Sequence, residues 1–177
     1  MPSKSGPTPG AFPEPSSRFA GPPGSRFYGP LTGLAPAAFD GTWWVVAPAD
    51  DDAYPWIAAA TAGLEARGAR VARIAVRPEE TRRDILGAKL RELLDVHADS
   101  GTGRPQGVLC LLALDASGGS AHPTVTTGLE GVLALLPALG DIDVAAPLGA
   151  ATSGAVSTGR SDRPTAPAQA PGWGMGR

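Results

Sequence analysis

A chain of 177 residues, 42% of them hydrophobic, has room for one ordinary domain with a sizeable core. Its formal net charge of −2 gives no electrostatic case for a nucleic-acid partner. A single cysteine, Cys110, excludes an internal disulfide and a thiolate zinc site, and no run of 18 apolar residues offers a membrane span. The first 30 residues hold no apolar h-region, so a cytoplasmic protein is expected.

Residues 1–39 contain nine prolines and six glycines. Such a segment buries too little apolar surface to offset its ordering entropy, so a mostly disordered leader is expected. The stretch SRFYGPLTGL (25–34) is the exception, since Phe27, Tyr28, Leu31 and Leu34 could pack as an extended arm. From Asp40 the character changes. TWWVVAP (42–48) is aromatic and β-branched and ends in proline, the pattern of a buried strand. A helix follows over residues 49–68, with Asp50, Asp51 and Asp52 as N-cap and first-turn acids. Ile57, Ala60, Leu64 and Arg67 are spaced along it, and Gly68 ends it. ARVARIAV (69–76) is a second strand. Residues 78–95 form a second helix on the apolar stripe Ile85, Leu86, Leu90, Leu93 and Leu94. QGVLCLLAL (106–114) is apolar on both faces, as a parallel strand covered on both sides must be. A third helix is predicted over 122–141 and a fourth strand, weak in Ala and Gly, over 146–154. Strand and helix alternate, so the predicted fold is α/β. It is a truncated Rossmann-like open parallel sheet of about four strands, with helices on both faces.

That fold invites a dinucleotide, and the chemistry argues against one. A phosphate site needs a glycine-rich turn after the first strand. Here the turn reads PADDDAYP, without glycine, and Asp50–Asp52 would repel phosphate. An Mg²⁺ site is the sharper reading of three acids; helix capping and solvation are favoured. The terminal GWGMGR has no strand before it, and Arg177 stands where a third glycine would be needed. Cys110 lies within an apolar strand, where a thiol is inert. His97 and His122 read as surface residues near helix ends. Neither Tyr28 nor Tyr54 is followed four residues on by lysine, so a reductase pair is missing. Trp43, Trp44, Trp56 and Trp173 read as packing residues. No catalytic, cofactor-binding or metal-ligating residue emerges.

Five stretches, in order, resemble one known region. GTWWVVAPADDDAYPWIAAATAGLEARGARVARIAV is similar to the start of the ketoreductase region of modular type I polyketide synthases. GVLCLLALD and HPTVTTGLEGVLALLPALGD resemble its middle, APLGAATSGAVSTG the strand and loop after it, and PAQAPGWGMGR the segment that closes its first half. The likeness runs from about Gly41 to Arg177. In that family the first half is a structural subdomain that binds no cofactor. The second half is catalytic and binds NADPH. The resemblance implies that residues 40–177 are the structural subdomain alone and that NADPH would belong to the catalytic part, which has no counterpart here. Three departures stand out. RFYGPLTGL keeps only part of the aromatic-rich strand usual before the GTW strand in that family. Gly149 and Ala150 replace bulkier residues in the fourth strand, and Pro171 with Gly172 should interrupt the last helix.

The function implied is a non-catalytic scaffold that packs against the catalytic ketoreductase subdomain or other polyketide synthase domains. Trp173 and Met175 are the partner-packing candidates, and self-association is expected of the chain alone. The alternatives are a stand-alone doubly wound ligand-binding module or small enzyme, and a non-functional truncated fragment.

Overall fold

The computed structural model describes residues 39–50, 54–99, 103–119, 124–157 and 163–175. The predicted leader, with its arm at 25–34, lies outside the described residues apart from Phe39. The first strand, β1 (Thr42–Pro48), has the bounds read from the sequence. Trp44, Val45, Val46 and Ala47 have no exposed surface, which suits a strand buried on both faces.

Helix α1 (Pro55–Glu65) is shorter than predicted and starts differently. Its N-cap is Tyr54, which makes no side-chain cap, and its first turn holds no acid. Pro55 sets the start instead: its fixed φ suits the first helical position, where no N–H partner is needed. Asp51 and Asp52 lie outside the described residues, and Asp50 is exposed. After α1 the chain turns through Gly68 at φ +96°, a conformation that favours glycine, into β2 (Arg70–Val76).

The second helix also departs from expectation. Pro78–Glu80 form a separate 3-10 turn, and α2 runs over Arg83–Asp99, taking in His97. The backbone N–H of Arg77 donates to Glu80 at 2.8 Å, and Lys89 from α2 donates to Glu80 at 2.9 Å. The Arg77 bond first, then Lys89, holds the Glu80 carboxyl below its ordinary pKa. Lys89 also donates to the Ala75 carbonyl at 2.6 Å, capping a backbone group on edge strand β2.

Strand β3 is Gly107–Cys110 only. The predicted remainder, Leu112–Leu114, is a buried 3-10 turn, because Leu111 leaves the extended region at φ −108°, ψ 6°. Helix α3 (Thr127–Asp141) carries Pro137 in its interior, and β4 is reduced to Leu148–Ala150. Residues 167–169 form another 3-10 turn, followed by α4 (Ala170–Met175). Pro171 does not break that helix. It is the second helical residue, in the turn whose N–H groups have no intrahelical acceptor.

All four strands are parallel, in the order β2-β1-β3-β4. Alternate strand residues feed two cores. Trp44, Val46, Ile74, Val76, Val108 and Cys110 face α2 and α3. Val45, Ala47 and the half-buried Val71 and Leu109 face the side on which α1 places Ile57 and Leu64. Helices therefore lie on both faces, as the apolar strands require. Among the described residues no helix is long and apolar enough to cross a membrane.

Candidate functional site

The chain leaves β1 towards β2 on one side and returns to β3 on the other. That reversal opens a crevice at the carboxyl ends of the strands, the place where open α/β sheets hold ligands. The crevice has a volume of about 520 Å³. Asp50 and Tyr54 reach it from β1, Arg77 from β2, and Asp115 and Ser117 from beyond β3.

Its polar groups are largely engaged with one another. Asp115 accepts from the backbone N–H of Ser117 at 2.9 Å and from the Ser117 hydroxyl at 2.6 Å. Tyr54 lines the crevice beside the same carboxylate, so the connection after β1 meets the connection after β3 there. The first amides of α3, the usual anion donors of such a crevice, are also taken. Thr127 N–H donates to Ser117 O at 2.9 Å, Gly128 N–H to Asp115 O at 3.0 Å and Leu129 N–H to the Thr126 hydroxyl at 3.2 Å. At α1 the first helical residue is Pro55, which has no N–H to offer.

Burial, then the neighbouring Asp115 charge and its hydrogen bond, hold the Tyr54 phenol above its ordinary pKa, and Asp50 adds to this. A raised tyrosine pKa stabilises the fold below the unfolded value near 10, and the contribution is lost as pH rises through the folded value. Alkaline absorbance titration should therefore show Tyr54 ionising later than a free tyrosine. Asp115→Asn should move that midpoint down; an unmoved midpoint would show that Asp115 does not hold the phenol.

The remaining sequence candidates are scattered. Cys110 is buried, and burial pushes its thiol up to about 11, so it stays protonated at neutral pH. His97 sits in the last turn of α2 and is half-buried rather than on the surface. His122 and Tyr28 lie outside the described residues. Trp44 is core, and Trp43 meets Phe39 edge to face at 4.9 Å, whereas Trp56 is 62% exposed and packs little. Trp173 and Met175 belong to α4, but their side chains lie outside the described residues. Among the described residues no group of three or more His, Cys, Asp or Glu could hold a metal ion. The approach of Tyr54 to Asp115 was missed by sequence reasoning, and nothing local signals a meeting of residues so far apart in the chain.

No family model matches the chain. Polyketide synthase GfsA of Streptomyces halstedii is 46% identical over 143 residues, which is 81% of this chain and 2% of that protein. The pikromycin polyketide synthase component PikAII of Streptomyces venezuelae is 45% identical over 142 residues, 80% of this chain and 4% of that protein. Among solved structures, a C2-type ketoreductase from a modular polyketide synthase superposes with a TM-score of 0.69 at 44% identity, over 81% of this chain and 29% of that one. An A-type ketoreductase from a modular polyketide synthase gives 0.64 at 31% identity, over 77% and 27%. The chain thus spans a few per cent of these synthases and under a third of these ketoreductases. In sequence and in fold it is a homologue of one part of the ketoreductase region of modular polyketide synthases.

Proposed function

We propose that the chain is a non-catalytic scaffold, the structural part of a polyketide synthase ketoreductase. Its role is to pack against a separate NADPH-binding catalytic part and hold that part's shape. The observation that supports this reading is the state of the crevice. The turn after β1 has no glycine to admit a pyrophosphate, α1 begins with proline, and the first amides of α3 are bonded within their own loop. Asp50 and Asp115 add negative charge where phosphates would lie. These residues do not fit NADPH, and no step of ketone reduction is assigned to them. Trp173 and Met175, in α4, form part of the proposed packing surface.

A second reading, a stand-alone ligand-binding module, draws on the same crevice, which is roomy enough for a small molecule. Fluorescence titration with NADPH separates the two. The scaffold reading expects no saturable signal at high micromolar cofactor, and a saturable 1:1 endpoint would overturn it.

A further inference from the structure

We propose that the chain carries a site for a primary carboxamide just beyond the carboxyl ends of β3 and β4, and that it fills this site with its own Gln169. The side chain acts as the bolt of a latch, which holds residues 163–175 against the sheet and lets them open as one unit when it is withdrawn. This holds under either reading of the crevice above.

Of residues 163–172, Gln169 alone is buried, at 8% exposure; the others are exposed or half-buried. Apolar burial therefore contributes little to keeping this segment in place, and directional bonds must do so. The Gln169 Nε2 donates to the Leu114 carbonyl at 3.3 Å, and the Ser153 backbone N–H donates to Gln169 Oε1 at 2.9 Å. Leu114 ends the 3-10 turn that follows β3, and Ser153 lies just after β4. One side chain thus ties together the connections that leave two neighbouring strands. The other tie is a single backbone bond, from Ala166 N–H to Gly154 O at 2.9 Å. Helix α4 then passes the same strand ends without interlocking: a methyl group added at Gly172 would lie 3.7 Å from Thr152 Cγ2 and 3.9 Å from Ala113 Cβ, an ordinary contact.

The chemistry of the seat selects its occupant. It presents one carbonyl and one N–H, so it needs a donor and an acceptor on the same small planar group. A primary carboxamide supplies both, and the two partners fix which way round the amide lies. A carboxylate would set a charged oxygen against the Leu114 carbonyl. An apolar side chain would leave both backbone groups unpaired, and Leu114 is buried, where water cannot readily replace the lost partner. With the bolt withdrawn, this margin of the sheet offers an open donor and acceptor at the edge where open α/β sheets receive ligands.

The test is amide hydrogen exchange, followed by NMR on the whole chain. Gln169→Met keeps the length of the side chain and removes both bonds. It should speed exchange at the Ser153 and Ala166 amides on the order of tenfold and leave Val45 and Val46 of β1 unchanged. Gln169→Gly empties the seat. Propanamide, which is the missing side chain as a free molecule, should then restore slow exchange at Ser153 at high millimolar concentration, whereas propanoate of the same size should not. Unchanged exchange at Ser153 in Gln169→Met overturns the latch. Acceleration that reaches Val45 and Val46 equally would make Gln169 a contributor to global stability alone, and it too overturns the latch. Propanamide that acts no better than propanoate overturns the carboxamide site.

Discussion

Gly128→Ala should destabilise the fold by about 3 kcal/mol, the upper end of what overpacking usually costs, and lower the melting midpoint by roughly 10 °C. Gly128 is the second residue of α3, where the helix meets the turn that ends the β3 connection. A methyl group there would press inside contact distance of the Leu112 carbonyl oxygen and come within 2.6 Å of the Asp115 carbonyl oxygen. Both are backbone atoms, so neither can rotate away as a flexible side chain would. The same carbonyl of Asp115 accepts the Gly128 N–H at 3.0 Å, so relieving the clash also loosens the bond that seats the helix. The matched comparison is Gly87→Ala in α2, where an added methyl has nothing within 4 Å. There the same substitution should raise stability by about 0.5–1 kcal/mol through helix propensity and a less flexible unfolded chain. Thermal melts followed by circular dichroism should move in opposite directions. Equal shifts would mean that close approach at α3 is not what the glycine provides.

At Trp44 the expected loss is as large, and the replacement residue decides its size. The side chain has no exposed surface and lies in the core beneath α2 and α3. Trp44→Ala removes the largest of the fully buried side chains and should cost about 4 kcal/mol. Trp44→Phe should cost only about 1 kcal/mol. The indole N–H has no hydrogen-bond partner among the described residues, and losing a buried, unsatisfied donor offsets part of the lost volume. Chemical denaturation of the two variants measures the gap. If phenylalanine proves as costly as alanine, the indole nitrogen has a partner that matters.

The parts of the fold that were legible in the sequence are those fixed by local pattern. β1 was readable because Trp, Val and a terminal Pro48 mark both its character and its end. The alternation of strands and helices gave the parallel sheet, since crossover helices leave few other arrangements. The misreadings came where two local signals competed. The aspartates before α1 looked like caps, but Pro55 is the stronger start signal and makes Tyr54 the cap residue. Pro78 looked like the start of α2 and instead opens a separate 3-10 turn. Leu112–Leu114 continued an apolar run without break, and a buried turn and a buried strand share that composition. The crevice was half legible. Its lack of glycine is written in the turn PADDDAYP. The engagement of Asp115 by Tyr54 and Ser117, and of the α3 amides by residues 115–117, depends on loops that meet only once the sheet has formed.

The strand order carries a consequence for assembly. The first strand of the unit is an interior one, and its two neighbours are supplied from residues 70–76 and 107–110. The β1–α1–β2 segment closes a short loop and can pair as soon as it is made, whereas β3 must find the opposite side of β1 across a longer stretch of chain. The sheet therefore grows outward from β1 in both directions, and β4 joins last through three residues. Opening reverses that order: the β4 margin unzips first, and β1, clasped on both sides, is the last strand to give up its backbone hydrogens to solvent.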